Sequence, residues 1–463
     1  MKISEILKVT RGRLLSGDPQ SDIDLASIST DSRTIAPGEF FLPLKGSNFN
    51  GEEFIESAFE KGAIGTFTTQ YAVRLPARQA DSTQYERVVI QVKNTTDTLG
   101  KIARWNRMQF KIPVIGVTGS NGKTTVKDMI AKVLSSKFNV LKNKGTRNNH
   151  IGVGLTLLKL NSSHQICVIE MGTNHRGEIR SLADMARPTI AIITNIGPSH
   201  LKFLKDLKGV FNAKREILEI LNRNSLVLLN GDDEYLSTIK DKTFKIMRFG
   251  FNEKNDFRAS GLSVEGARIK FTLNDRTRFE LNLLGVHNTY NALSSIAIAY
   301  DFGISYLDTK KALLEYSPPH MRLNAECMGG ITVINDAYNS NPLSMKSALE
   351  ALKDFPGGDR WIVSADMLEL GEREKEFHNL VGETIARSGF DGLITFGDLS
   401  RHTSSRALEC GMGRDRVWHC SSREEVAGIL NRCAKKGDCI LVKGSRSMKM
   451  EEVITALSCM LKA

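Results

Sequence analysis

The chain has 463 residues, with 63 Lys and Arg against 52 Asp and Glu for a formal charge of +11, and at roughly 150 residues per domain it should hold about three domains. With 41% hydrophobic and 25% charged residues, the composition excludes a disordered or fibrous chain. No apolar run nears the roughly 18 residues of a membrane helix, residues 1–10 lack a signal-peptide core, and the seven cysteines form no C-x-x-C pair. Neither a disulfide framework nor a zinc site is indicated, and a cytoplasmic location without membrane insertion is expected.

Residues 1–93 contain short strand candidates at 40–44, 63–69 and 88–92, with an amphipathic helix at 52–62. A helical stretch at 97–110 leads into apolar strands at 113–118, 168–171, 190–194 and 226–230, alternating with helices. Such alternation marks βαβ units around a parallel sheet. Pro318 and Pro319 suggest a linker. Beyond them strands are expected at 331–336, 360–365, 392–397, 416–420 and 439–445, separated by helices such as 342–355 and 423–433. The fold class is α/β in three domains: a small N-terminal α/β domain (1–93), a central P-loop-type parallel sheet flanked by helices (94–318), and a Rossmann-like C-terminal domain (319–463).

Charge is uneven across these thirds. It sums to −1 over 1–93, +13 over 94–318 and −1 over 319–463, and residues 101–160 alone carry +11. Solvated helix faces, a nucleic-acid stripe and a site for small polyanions such as nucleotides all fit that excess. Its aromatics are only Trp105, Phe110 and Phe138, and no nucleic-acid motif accompanies them.

Within the basic stretch lies Gly116-Val-Thr-Gly119-Ser120-Asn121-Gly122-Lys123-Thr124-Thr125, after an apolar strand and before a helix. In that context backbone N–H groups approach phosphate oxygens and the helix N-terminus adds positive partial charge. Lys123 would reach the β- and γ-phosphates, Thr124 would ligate Mg²⁺ and Thr125 would lie beside the phosphates. Val117 stands where the strict P-loop pattern has its first glycine. The ordinary alternative is an Asn-Gly turn at 121–122.

The form Thr-Gly-Ser-Asn-Gly-Lys-Thr-Thr resembles the phosphate loop of the Mur ligases, ATP-dependent amide-forming enzymes of peptidoglycan precursor synthesis. Folylpolyglutamate synthases carry a similar loop and are the nearest alternative. Matching segments run through the chain: 29–33 and 37–46, then 148–152, 170–175, 195–200 and 214–216, then 285–291, Met321-Arg322, 336–342, 366–372 and 443–446. Tyr338-Asn-Ser-Asn-Pro342 is similar to the Y-N-A-N-P of members that add D-alanyl-D-alanine to UDP-N-acetylmuramoyl-tripeptide. Two departures are Ser364-Ala365, where a glycine is more frequent, and Asn50–Phe54, which lacks a histidine.

The resemblance implies an acyl-phosphate mechanism with ATP and Mg²⁺, the two peptide substrates as the small-molecule partners, no nucleic acid and a monomer. It implies Glu170 with Thr124 as Mg²⁺ ligands, His200 as a ligand of a second Mg²⁺, and Lys214 as a carbamylated lysine ordering the metal region. Asn288 and Asn291 would face adenine, with helix capping by Asn288 as the ordinary alternative. Arg322 and Asp336 would reach ATP on domain closure. Tyr338, Asn339 and Asn341 would shape the dipeptide side, although both asparagines could equally be turn residues before Pro342. Thr30, Asp31, Ser32 and Arg33 would meet the uridine nucleotide, Arg33 pairing with diphosphate. Asn148 and Asn149 would line the junction where the substrate carboxylate arrives, with Lys144 and Arg147 adding charge.

Overall fold

The computed structural model describes residues 1–46, 49–71, 87–353 and 355–462. Among these, three sheets of five, nine and six strands succeed one another along the chain. The N-terminal sheet runs Arg13–Ser16, Val88–Gln91, Gly65–Thr68, Phe40–Phe41, Ile28–Ser29, parallel except at its first pairing. Its strands are shorter than expected, and two flanking ones, Arg13–Ser16 and Ile28–Ser29, carry too few apolar residues to announce themselves.

The central sheet explains the placement of the motifs. The phosphate-loop strand, Val114–Thr118, lies between Ile166–Glu170 and Ile190–Ile193, all parallel. Side chains alternate across a strand, so one face needs cover at every second residue. Ile115 and Val117 pack with Val126, Met129 and Ile130 of the loop helix (Lys123–Leu134) and with Ala292 and Ile296 of helix His287–Asp301. Val114 faces the other way, into the cluster holding Leu99 and Ile102 of helix Thr95–Met108 and Leu182 of helix Glu178–Ala186. Both faces are therefore dry, and polar groups gather at the strand ends.

The parallel sheet expected for this domain carries an antiparallel extension at its far edge. After Leu226–Asn230 and Lys245–Gly250, strand Phe257–Glu265 turns back through Arg268–Leu273 and Thr277–Leu281, which pair antiparallel. One face of this ribbon is solvated, and antiparallel strands tolerate that. Its interspersed arginines and lysines hid the alternation.

In the C-terminal sheet, Ile331–Asp336, Cys439–Lys443, Arg360–Ala365, Gly392–Phe396 and Val417–Cys420 are parallel, as the alternation predicted. An additional strand, Asn324–Met328, joins Ile331–Asp336 in a hairpin. Its turn is Gly329-Gly330, both at positive φ, where a side chain would be strained.

Candidate active site

A cleft of about 2240 Å³ opens between the carboxyl edges of the central and C-terminal sheets, the edge at which open α/β sheets bind ligands. It brings together Ser120, Asn121, Gly122, Lys123, Thr124, Thr125, Asn148, Asn149, Glu170, His200, Asn288, Asn291, Arg322, Asp336, Tyr338, Asn339 and Asn341. Gly119 lies beneath this lining at φ 143, where an added Cβ would sit 3.0 Å from the Thr194 backbone nitrogen and nearer still to its hydroxyl. No other residue fits there.

Within the central domain the loop is anchored by the segment at 195–197. The Ser120 N–H donates to the Asn195 carbonyl at 2.9 Å, the Ser120 hydroxyl donates to the Gly197 carbonyl at 3.0 Å, and the Asn121 N–H donates to the Asn195 side chain at 2.9 Å. Lys123 folds back to donate to the Gly119 and Ser120 carbonyls at 2.8 and 2.9 Å. Burial lowers its ammonium to about 8, against the pull of Glu170 and with the push of Arg322.

Glu170 ends its strand 1% exposed. Its Oε1 accepts from the Asn148 amide at 2.7 Å, while its Oε2 has no hydrogen-bond partner and lies 3.8 Å from the Lys127 ammonium. A buried carboxylate oxygen without a donor fits a hard divalent cation. Thr124 is buried at the head of the loop helix and lines the same cleft. Among the described residues no group of three or more His, Cys, Asp or Glu is arranged to hold a metal, in keeping with Mg²⁺ sites that take few protein ligands and several from phosphate or water.

His200 has φ 55, in the left-handed region, and its Nδ1 meets Glu369 of the C-terminal domain at 2.6 Å. Burial and the Lys214 and Lys123 charges lower its pKa, and the Glu369 contact opposes them. Lys214 does not line the cleft but lies beneath it, 1% exposed. Burial first, then the Lys123 charge, hold it well below the ordinary lysine range against Glu178 and Glu216.

Across the cleft, Arg322 stacks 3.9 Å from the centre of the Tyr338 ring, and Asp336 accepts from the buried Lys443, which also donates to the Asn339 carbonyl at 2.9 Å. Asn341 takes the turn reading and adds a contact that was not expected. It accepts from the Ser344 N–H as a helix cap, and its amide donates to Asn121 of the phosphate loop at 2.8 Å. The suggested capping by Asn288 is corrected: its amide donates back to the Leu284 carbonyl, and its oxygen accepts from Asn291 at 2.9 Å. Asn149 caps helix His150–Leu158.

Thr30, Asp31, Ser32 and Arg33 are not brought to this cleft. They form a surface turn in which both Asp31 oxygens accept from Arg33, at 2.8 and 2.7 Å. Sequence reasoning missed three groups here: Glu369, Lys127 and Asn143. Glu369 lay within a matched segment without a role, and Lys127 reads as one more lysine on a basic helix.

Three family descriptions match in succession: "Mur ligase family, catalytic domain" over residues 24–107, "Mur ligase middle domain" over 117–299 and "Mur ligase, glutamate ligase domain" over 321–446. The UDP-N-acetylmuramoyl-tripeptide–D-alanyl-D-alanine ligase of Bacillus subtilis (strain 168) is 35% identical, with 98% of each chain covered. The chain belongs to the Mur ligase family. The Escherichia coli (strain K12) ligase of the same name is 34% identical, with 96% of each covered. Among solved Mur ligases, MurF from Acinetobacter baumannii is similar with a TM-score of 0.87 and 28% identity, covering 99% of this chain and 98% of that one. MurF from Thermotoga maritima in complex with ADP follows at 0.82 and 26%, covering 95% and 99%.

Proposed function

We infer that this chain is an ATP-dependent ligase joining D-alanyl-D-alanine to UDP-N-acetylmuramoyl-tripeptide, giving the pentapeptide precursor of peptidoglycan. The observation that carries it is the Asn121–Asn341 pair, which sets the Tyr338–Pro342 segment directly on the phosphate loop in a chain whose full-length relatives bear that name.

A carboxylate has no leaving group. Its oxygen attacks the γ-phosphorus of ATP and the bond to the β-bridging oxygen breaks, giving an acyl phosphate and ADP. The dipeptide amine then attacks the acyl carbon, loses a proton, and phosphate leaves with the former carboxylate oxygen. The first step brings one anion onto another, so positive charge must be fixed in place beforehand. The N–H groups of 122–125 at the head of the loop helix and Lys123 hold the phosphates, and Arg322, steadied by Tyr338, counters charge on the transferring phosphoryl. Asn148 and Asn149 receive the substrate carboxylate, with Lys144 and Arg147 nearby. Thr124, Glu170 through its open Oε2, and His200 would hold Mg²⁺, which supplies a fixed double positive charge beside the phosphate oxygens. Asn288 and Asn291 present an amide edge suited to adenine. Tyr338, Asn339 and Asn341 orient the dipeptide, and Asp336 with Lys443 braces that segment.

Lys214 is carbamylated in this reading. Its lowered pKa favours the neutral amine, the form that can attack CO₂ and lose a proton, and no described residue holds its ammonium in a hydrogen bond or ion pair. The carbamate reverses the charge and suits a metal region. The three domains divide the substrates, 1–93 taking the UDP end through the Thr30–Arg33 turn, 94–318 ATP and 319–463 the dipeptide.

The enzyme works as a cytoplasmic monomer without nucleic acid. In support, six of the twelve Lys and Arg residues in 101–160 are committed within the fold. Arg107 is buried on backbone carbonyls, Lys123 and Lys127 serve the loop, and Arg104, Lys132 and Lys142 pair with Asp184, Glu315 and Asp128. No helix among the described residues is long and apolar enough to cross a membrane. ADP release that requires both the dipeptide and the tripeptide nucleotide tests the assignment. Release with glutamate and a folate instead would overturn it.

A further inference from the structure

The mechanism leaves one buried charge unused. Lys127 lies one turn beyond Thr124 on the loop helix and is 0% exposed. Its ammonium donates to the Asn143 carbonyl at 3.0 Å and the Gly145 carbonyl at 2.5 Å, with Asp128 at 3.5 Å and Glu170 at 3.8 Å. A lysine so withdrawn from water is costly, and a hydrophobic residue of similar volume would often serve stability as well. Its partners indicate another use.

Asn143 is also fully buried. Its side-chain oxygen accepts from the Glu170 N–H at 2.9 Å, and its amide donates to the Glu170 carbonyl at 3.1 Å and the Arg147 carbonyl at 2.9 Å. The next residue after Arg147 is Asn148, whose amide occupies Glu170 Oε1 and whose carbonyl accepts from the Gly172 N–H. Lys127 therefore grips the turn at 143–145 from the helix that carries Thr124, and the same turn grips the strand end that carries Glu170.

We propose that Lys127 and Asn143 are positioning residues that register Glu170 against the phosphate loop, so that Oε1 is filled by Asn148 and Oε2, which accepts no hydrogen bond, is presented to the cation that accompanies the nucleotide. The proposal rests on the ATP-and-Mg²⁺ reading above. Groups that orient a metal ligand typically set affinity by about 10- to 100-fold. Lys127 does so through the carbonyls it fixes, without touching substrate.

The test is calorimetric binding of ADP and of a non-hydrolysable ATP analogue to the full chain across a Mg²⁺ titration, with thermal melting in parallel. Lys127→Met should raise the Mg²⁺ concentration giving half-maximal nucleotide affinity by about tenfold or more. Asn143→Ala, which spares every charge, should shift it in the same direction. Lys132→Met, an exposed lysine on the same helix, should leave it unchanged. If Lys127→Met does not fold, the Asn143→Ala titration decides alone. A Mg²⁺ midpoint within about twofold of the unsubstituted chain in a folded variant, whatever its melting temperature, overturns the proposal. The assigned reaction stands or falls separately, because acceptor-dependent ADP release by the unsubstituted chain does not depend on this titration.

Discussion

The turn at Thr30–Arg33 and the floor of the cleft carry the same kinds of residue, hydroxyls, a carboxylate and a cation, yet they are in opposite states. In the turn, Arg33 hydrogen bonds hold the Asp31 carboxyl down to about 2, and the pair is closed on itself while Arg33 stands 86% exposed. In the cleft, Glu170 Oε2 is buried with no donor, and Lys214 is buried without an ion-pair partner among the described residues. Burial makes a poorly satisfied charge expensive, which supports the proposed reading in which both groups receive a ligand. A cluster satisfied locally must first be opened before it can bind anything.

That contrast can be broken most forcefully at Lys123. Lys123→Ala should lower ADP release by about 10³-fold at saturating substrates, as expected for a preorganised charge facing a developing anion. Lys214→Ala should cost about 10²-fold, and short carboxylic acids that refill the vacated anionic position should restore part of it. No restoration would sever the tie between Lys214 and an anion. The lowered Lys123 pKa gives a pH dependence with a defined sign. The cation that holds phosphate is lost as pH rises through about 8, so nucleotide affinity should fall about tenfold between pH 7 and 9, and Lys123→Arg should flatten that fall. Stability should move the other way, rising from pH 8 towards the ordinary lysine pKa, because the unfolded chain binds the proton more tightly there.

Smaller effects probe the two sides of the comparison separately. Asn121→Ala and Asn341→Ala should each raise KM for the dipeptide about fivefold. Together they should do little more, a coupling of about 1 kcal/mol read from a double-mutant cycle. Additive losses would show that the two amides act independently. At the satisfied turn, Asp31→Asn should shift the melting temperature by no more than about 2 °C. It should also free Arg33 and lower KM for the tripeptide nucleotide, with kcat unchanged.

The parts of the site readable from sequence are those made by consecutive residues. Gly119 and Gly122 with Lys123 and Thr124 announce a strand, a tight loop and a helix in the order in which they fold. The inner parallel strands of both large sheets were legible for the same reason, being short apolar runs with dry faces, whereas Val140–Lys142 and Lys245–Gly250, half-exposed and bearing lysines, were not. Lys127 and Asn143 were not, because nothing local separates a lysine gripping a turn sixteen residues away from one facing water. The ribbon over 257–281 was hidden by charges on its wet face. Of the two readings of Asn341, the turn residue before Pro342 is visible as a helix cap, and its amide makes a crossing to Asn121 that no local pattern announces.

The Asn121–Asn341 pair spans 220 residues of sequence, and this has a bearing on biosynthesis. Domains fold largely in order as the chain leaves the ribosome. The central domain can thus complete its phosphate loop before Asn341 has been translated, leaving Asn121 facing solvent. A nascent chain at that stage presents a nucleotide pocket with neither Arg322 in place nor a dipeptide surface above it, so ATP can dock there without being committed to reaction. The last third of translation then supplies both Arg322 and the Asn341 amide that clasps the loop.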